Sequence, residues 1–215
     1  MKIAIDGPAG SGKSTVAKYL SHKLDFPYID TGAMYRGITY LILKNKLSLE
    51  DKTAIIKLVN NSLFSFDENG LSINGVNLEK EIRKNKISEY VSVVAALPYV
   101  REILVKKQQN IANKMTNGIL DGRDIGTVVL PYADLKIYLE TSIKERAHRR
   151  LKELLDKGES IDLETLIEQI AQRDQNDMNR AVGPLKKADD AILIVTDGLS
   201  IGAVGEKIIE RIIKK

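Results

Sequence analysis

The chain contains no cysteine, which excludes disulfides, thiolate zinc sites and cysteine nucleophiles together. It has no tryptophan and only 3 phenylalanines beside 8 tyrosines. None of these aromatics interleaves with basic residues as a base-stacking nucleic-acid surface requires. Histidine is almost as scarce, and His22 and His148 stand alone in the sequence, so both read as structural or surface residues. No stretch approaches the ~20 apolar residues of a membrane span. Asp6 interrupts the first apolar run too early for a secretory leader. A cytoplasmic chain without a membrane partner is the expectation.

What is present suffices for a core. With 215 residues, 43% of them hydrophobic, the chain can build one α/β core carrying small inserted parts. The net charge of +4 points to an anionic partner, a nucleotide or a nucleic acid according to where the arginines lie.

The chain opens MKIAIDGPAGSGKST. Ile3, Ala4 and Ile5 read as a short buried strand, and Gly7-Pro8-Ala9-Gly10-Ser11-Gly12-Lys13-Ser14 has the spacing G-x-x-x-x-G-K-[ST] of a phosphate-binding loop, which runs on to Thr15. Backbone amides that wrap a polyphosphate need close approach and unusual dihedrals, hence the recurrent glycines. Lys13 would bring positive charge to the β- and γ-phosphates, Ser14 a hydroxyl ligand for Mg²⁺, and the helix beginning near Lys13 a favourable dipole. Val16, Ala17, Leu20 and Leu24 give that helix its apolar stripe.

Phe26-Pro27 ends the pattern, and Tyr28-Ile29-Asp30 reads as a second strand. Thr31 is expected to cap a helix carrying Ile38, Leu41 and Ile42, with Arg36 on an early turn. Another amphipathic helix is expected over Leu49 to Leu63. From Leu63 to Asn77 the period changes to two, with Asn69-Gly70 and Asn74-Gly75 between short alternating runs, so the spacing predicts a small antiparallel meander. Helical patterning resumes near Ile87 and stops at Pro98, and a further helix is expected from about Tyr99 to Met115. Ile119-Leu120-Asp121 then has the pattern of a central parallel strand delivering a carboxylate to its C-terminal edge, where ligands bind in open α/β sheets. The crowding of Asp121, Arg123 and Asp124 admits either a site or a charged loop of mutual ion pairs.

Lys136 to Leu139 reads as the next strand. In the helix after it Arg146, Arg149 and Arg150 share a face, and in a helix from about Leu163 so do Arg173, Asp177 and Arg180. Taken singly each arginine is an ordinary surface residue. As a set they suit a lid that closes on phosphate, because the planar guanidinium contacts it with two N–H groups. Ala191 to Val195 reads as the last strand, followed by a helix capped by Ser200.

Six segments carry a resemblance: IDGPAGSGKST, DTGAMYRG from Asp30, VAALPYVR from Val94, DGRDIGTVV from Asp121, ERAHRR from Glu145 and RDQNDMNRAVGPL from Arg173. Together they resemble the bacterial cytidylate kinase family along the whole chain. The resemblance implies an α/β P-loop kinase: a parallel sheet flanked by helices, with a small inserted antiparallel β subdomain and a helical lid. It implies one domain over 1–215, with core segments 1–62, 87–142 and 186–215, a CMP-binding insert at about 63–86 and an arginine-rich lid at about 143–185.

The implied reaction is transfer of the γ-phosphoryl of ATP to CMP or dCMP, with Mg²⁺, by an enzyme expected to be monomeric and to bind no nucleic acid. By resemblance, Thr31, Arg36, Ser92, Arg101, Arg123, Asp124, Arg173, Asp177 and Arg180 surround the monophosphate. Arg36, Arg123 and Arg180 would meet its phosphate, Arg173 and Asp177 its sugar, and Ser92, Arg101 and Asp124 its base. Cytosine offers a donor at N4 and acceptors at N3 and O2, which suits a carboxylate or hydroxyl facing N4 and a guanidinium facing the acceptors. Catalysis would then rest on Lys13, Arg123 and Arg180 with the lid residues Arg146 and Arg150, and needs no general base, since a phosphate oxygen attacks. Lid closure over both substrates would keep out water.

Other classes stay open at this stage. A kinase for UMP, AMP or a small metabolite would lack a use for Ser92, Arg101 and Asp124 as base readers. A P-loop protein bound to RNA would spread its basic charge along one outer face and show a steep salt dependence. A non-enzymatic ATP-binding regulator would not need arginines grouped in two places beyond the loop.

Overall fold

In a computed structural model that describes residues 1–156, 158 and 161–213, five strands form one parallel sheet: β1 (Lys2–Asp6), β2 (Tyr28–Asp30), β6 (Gly118–Gly122), β7 (Leu135–Glu140) and β8 (Ile192–Val195), in the order β2-β6-β1-β7-β8. The central strands read as continuous apolar runs because helices cover both faces of the sheet. Ile3, Ile5, Ile137 and Leu139 pack against α1 (Lys13–Leu24) and α9 (Ile201–Ile213). Ala4, Ile29 and Leu120 pack on the opposite face with Ala112 of α6 (Pro98–Asn113). Register places Asp30 opposite Asp121 and Asp6 opposite Gly122. Asp6 and Asp30 therefore end β1 and β2, and Asp121 stands one residue from the end of β6, along one C-terminal edge.

A second cluster joins α2 (Thr31–Lys44), α3 (Lys52–Asn60), α5 (Asn85–Ala96) and α6 through Met34, Ile38, Ile55, Val91 and Leu104. The meander expected from the Asn-Gly turns forms as β3 (Phe64–Asp67), β4 (Gly70–Ile73) and β5 (Val76–Asn77), antiparallel throughout. Its inner residues Leu71 and Ile73 face Ala33 and the short α4 (Glu79–Ile82). Helices α7 (Ile143–Leu155) and α8 (Leu163–Asn179) pack on each other through Ala147, Leu154 and Leu166. Residues 157, 159 and 160 of the expected lid, and 214 and 215 of the expected core, lie outside the described residues. Among the described residues no helix is long and apolar enough to cross a membrane.

Four local expectations are corrected. Thr31 does not cap α2: the Asp30 carboxylate accepts from Ala33 N at 2.8 Å and takes the capping role. The helix expected over 49–63 is shorter, because Asp51 caps it from Ala54 N and the chain turns toward β3 at Ser62. Pro98 both ends α5 and opens α6, where its missing N–H costs nothing. Arg180 leaves the stripe of α8, because it stands at the C-cap with extended backbone (ψ 143°). Neither α4 nor the π-helical turn Ile125–Val129 after β6 was anticipated from periodicity.

Candidate functional site

The phosphate loop joins β1 to α1. A Cβ at Gly7 would stand 2.3 Å from the Leu139 carbonyl oxygen, and Gly12, the α1 N-cap, sits at φ +87° with no side-chain cap. The first amides of α1 are thereby left to face the loop's concavity. Lys13 is buried and folds back on the loop, donating to Pro8 O at 2.6 Å and Ser11 Oγ at 3.3 Å. Burial, and then the neighbouring Arg123, push its ammonium well below the ordinary lysine range, with partial relief from Asp121.

Ser14 Oγ donates to Asp121 Oδ2 at 3.0 Å, and Tyr28 Oη donates to Asp121 Oδ1 at 2.7 Å. Burial, followed by the charge of Asp30, pushes the Asp121 carboxyl up. The serine hydroxyl and this carboxylate make a pair of hard oxygen donors beside the loop. That fits a magnesium ion carried in on ATP phosphates, which asks for only one or two protein oxygens. No group of three or more His, Cys, Asp or Glu suited to a metal occurs among the described residues.

One cavity lies on the sheet's C-terminal edge and brings together Thr31, Arg36, Ser92, Arg101, Arg123, Asp124, Arg173, Asp177 and Arg180 with Lys13 and Ser14. These are the residues the sequence proposed around an acceptor, gathered from five helices or loops. Arg101 is 1% exposed, donates to Asp124 Oδ2 at 2.5 Å and to Ala95 O at 3.1 Å, and lies 5.2 Å from the Tyr35 ring centre. Arg180 reaches Asp124 Oδ1 at 3.5 Å and donates to Gly183 O, whose residue packs against the Arg101–Asp124 pair. Arg123 Nε donates to Asp177 Oδ2 at 2.9 Å. Burial works against the Asp177 charge, but Arg123, Arg180 and Arg173 outweigh it and hold the carboxyl below its usual range.

Two arginines are poorly compensated. Burial, and then the like charge of Arg173, pushes Arg36 down to about 10. Burial and then Arg123 do the same to Arg173, also to about 10, and its Nε is buried with no hydrogen-bond partner among the described residues. Among the described residues Arg36 donates to Ile82 O and Ser88 Oγ, both neutral. A concave group of guanidinium charges that repel one another is electrostatically complementary to an anion. The Thr31 hydroxyl proton is given to Asp121 O at 2.7 Å, so toward a ligand this oxygen can only accept.

A second cavity opens on the other side of the loop, lined by Gly10 to Val16, Arg146, Arg149, Arg150, Thr196 and Leu199. Arg146 is buried and holds Asp174 through two parallel contacts of 3.0 and 2.5 Å while donating to Ala9 O at 3.1 Å, which ties α7 and α8 to the phosphate loop. Arg149 engages Glu145 and Thr196 O, and Arg150 engages Glu153 and Asn85.

Sequence reasoning singled out Asp121 without giving it a task, and left Tyr35, Arg83 and Asp174 unassigned. Arg83 lines the same guanidinium-rich cavity and pairs with Asp30 at 2.7 Å and Glu79 at 2.8 Å, joining the meander's helix to β2. Asp121 carried a signal, a carboxylate at a strand end beside a phosphate loop; the other three carried none without their partners.

A family model described as Cytidylate kinase matches residues 3–214. Cytidylate kinases of Streptococcus pneumoniae strain 70585 and of S. pneumoniae serotype 4 strain ATCC BAA-334 / TIGR4 are each 50% identical to the chain over 214 residues, covering 97% of this chain and 95% of theirs. Among solved structures, a shikimate kinase from Bacteroides thetaiotaomicron superposes with a TM-score of 0.52 at 15% identity, covering 99% of this chain and 98% of that one. An uncharacterized protein from Eubacterium ventriosum ATCC 27560 superposes at 0.54 and 13% identity, covering 100% and 99%. The two structural likenesses bear on the fold alone.

Proposed function

The chain belongs to the cytidylate kinase family, and from that premise we propose that it transfers the γ-phosphoryl group of ATP to CMP or dCMP, giving ADP with CDP or dCDP. The observation that carries the reading is the pair of cavities meeting at Lys13. One presents the phosphate loop, and the other a crowd of guanidinium groups that repel one another until a phosphate arrives.

In this reading ATP lies along residues Gly7 to Thr15 with its γ-phosphate at Lys13. The acceptor's phosphate sits among Arg36, Arg123 and Arg180, its sugar near Arg173 and Asp177, and its base against Ser92, Arg101 and Asp124. An acceptor phosphate oxygen, already ionised at neutral pH, attacks the γ-phosphorus, and the bond to the β-γ bridging oxygen breaks. The protein's part is to align the two oxygens and to spread positive charge over the transferring group. Phosphate binding would restore the full charge of Lys13 that burial suppresses. Ser14 and Asp121 would hold Mg²⁺, which supplies neutralisation of the phosphate oxygens when bound. Arg146 keeps α7 and α8 on the loop, and the segment of about 143–185 acts as the lid that excludes water, its arginines Arg146, Arg149 and Arg150 lining the cavity on the loop's side. The meander, about 63–86, serves the acceptor side through Arg83. A cytoplasmic monomer completes the reading, in keeping with the cysteine-free sequence.

The experiment is to incubate the protein with Mg²⁺, CMP and ATP labelled at its γ-phosphorus. Label recovered in CDP supports the reading. Label recovered only as inorganic phosphate, or left in ATP, refutes it.

A further inference from the structure

Asp6 is the last residue of β1 and the one before the phosphate loop. Its carboxylate is 4% exposed and accepts from Ile125 N at 2.8 Å and Gly126 N at 2.7 Å. Those amides belong to the two residues that follow Asp124. On its own side the Asp124 carbonyl accepts from Val128 N and Val129 N, so the backbone around Asp124 is held from both directions at φ −143° and ψ 27°. Gly126 makes the approach possible, since a Cβ there would stand 3.3 Å from Asp6 Oδ2 and 3.1 Å from Lys136 Cδ.

Among the described residues no side-chain cation is bonded to Asp6. The Lys136 ammonium turns away to Pro131 O and Asp190, and Lys13 is engaged by Pro8 O and Ser11 Oγ. The charges that act on Asp6 across space are Asp124, which opposes its ionisation, and Lys13, which favours it. A buried carboxylate whose nearest partners are two neutral amides is a costly way to pin a turn, which an uncharged side chain could pin at lower cost. The cost is intelligible if the direction of Asp124 matters.

We propose that Asp6 is a positioning residue for the choice of acceptor base: it ties the strand that enters the phosphate loop to the turn that carries Asp124, and so holds the base-reading pair Arg101–Asp124 in register with the phosphoryl donor. The inference rests on the reading of Arg101 and Asp124 as contacts to cytosine. Asp6→Asn keeps the side-chain volume but retains one acceptor oxygen and turns an N–H toward the other amide.

Steady-state rates with CMP and UMP, each at saturating ATP, test this. For Asp6→Asn, kcat/KM for CMP is expected to fall about tenfold or more while the KM for ATP changes by less than about twofold, and the preference for CMP over UMP to fall about tenfold. Gly126→Ala crowds the same contact from the opposite side and is expected to lose base preference likewise, which keeps the test available should Asp6→Asn not fold. A folded Asp6→Asn enzyme that loses CMP and UMP activity in equal proportion, or loses neither, overturns the inference. A wild-type enzyme that uses UMP as well as CMP removes the base-reading premise, and the inference falls with it.

Discussion

The Arg101 guanidinium and the Asp124 carboxylate form an ion pair of 2.5 Å with only 1% and 6% of their side chains exposed. Arg180 adds a second cation to the same carboxylate at 3.5 Å. Such a pair is not a gain in stability over a well-packed apolar core, but its rupture is costly because the surviving charge stays buried. Asp124→Ala is therefore expected to destabilise the fold by about 3 kcal/mol or more, measured by urea denaturation, and to remove most of the preference among acceptor bases. A variant as stable as wild type would show that Arg101 finds another partner.

Arg173 should behave in the opposite way. Its charge is buried and crowded by Arg123, its Nε has no partner among the described residues, and its replacement relieves repulsion. Arg173→Met is expected to leave stability unchanged or slightly raised while kcat/KM for CMP falls by about 10²-fold or more. Thermal melting and kinetics on the same preparation check both halves. A parallel loss of stability and activity would make the arginine structural.

Those contrasts mark where sequence reading succeeded. The phosphate loop is legible because its chemistry is local: the residues from Gly7 to Ser14 are contiguous, and no distant partner is needed to see what they do. The meander was legible for the same reason, from its two Asn-Gly turns. The residues that line one cavity with Lys13 became legible only as a set of resembling segments, since Arg36, Arg101 and Arg173 taken alone carry no signal. What stayed hidden depends on partners far along the chain. Arg146 meets Asp174 28 residues away, Thr31 spends its hydroxyl on a carbonyl 90 residues away, and Asp6 holds amides 119 and 120 residues away. A helix cap is subtler still: Asp30 and Thr31 are both good caps, and the neighbouring strand β6 decides between them by claiming the threonine.

Asp6 also gives a pH dependence of stability. Burial raises its carboxyl from 3.8 to about 6 against the opposing hydrogen bonds from Gly126 and Ile125. Between those values the folded chain keeps a proton that the unfolded chain releases, so this group's contribution to stability falls as pH rises from about 4 to 6 and is level above that window. The full difference is about 3 kcal/mol. Asp6→Asn, which cannot ionise, lacks this slope, and its stability relative to wild type is expected to rise by up to that amount between pH 4.5 and 7. Urea denaturation at the two pH values checks the difference. A constant gap would mean that Asp6 ionises in the fold as readily as in water.

The central claim is that the guanidinium-lined cavity accepts cytidine or deoxycytidine monophosphate and presents it to the phosphate loop. ADP formation from ATP and Mg²⁺, with CMP, dCMP, UMP and AMP offered separately, tests it most directly. The account requires that CMP and dCMP be used with kcat/KM well above that for UMP and AMP. Turnover of UMP equal to that of CMP would contradict the roles given to Ser92, Arg101 and Asp124, and a folded protein that binds ATP yet phosphorylates none of the four would contradict the account as a whole.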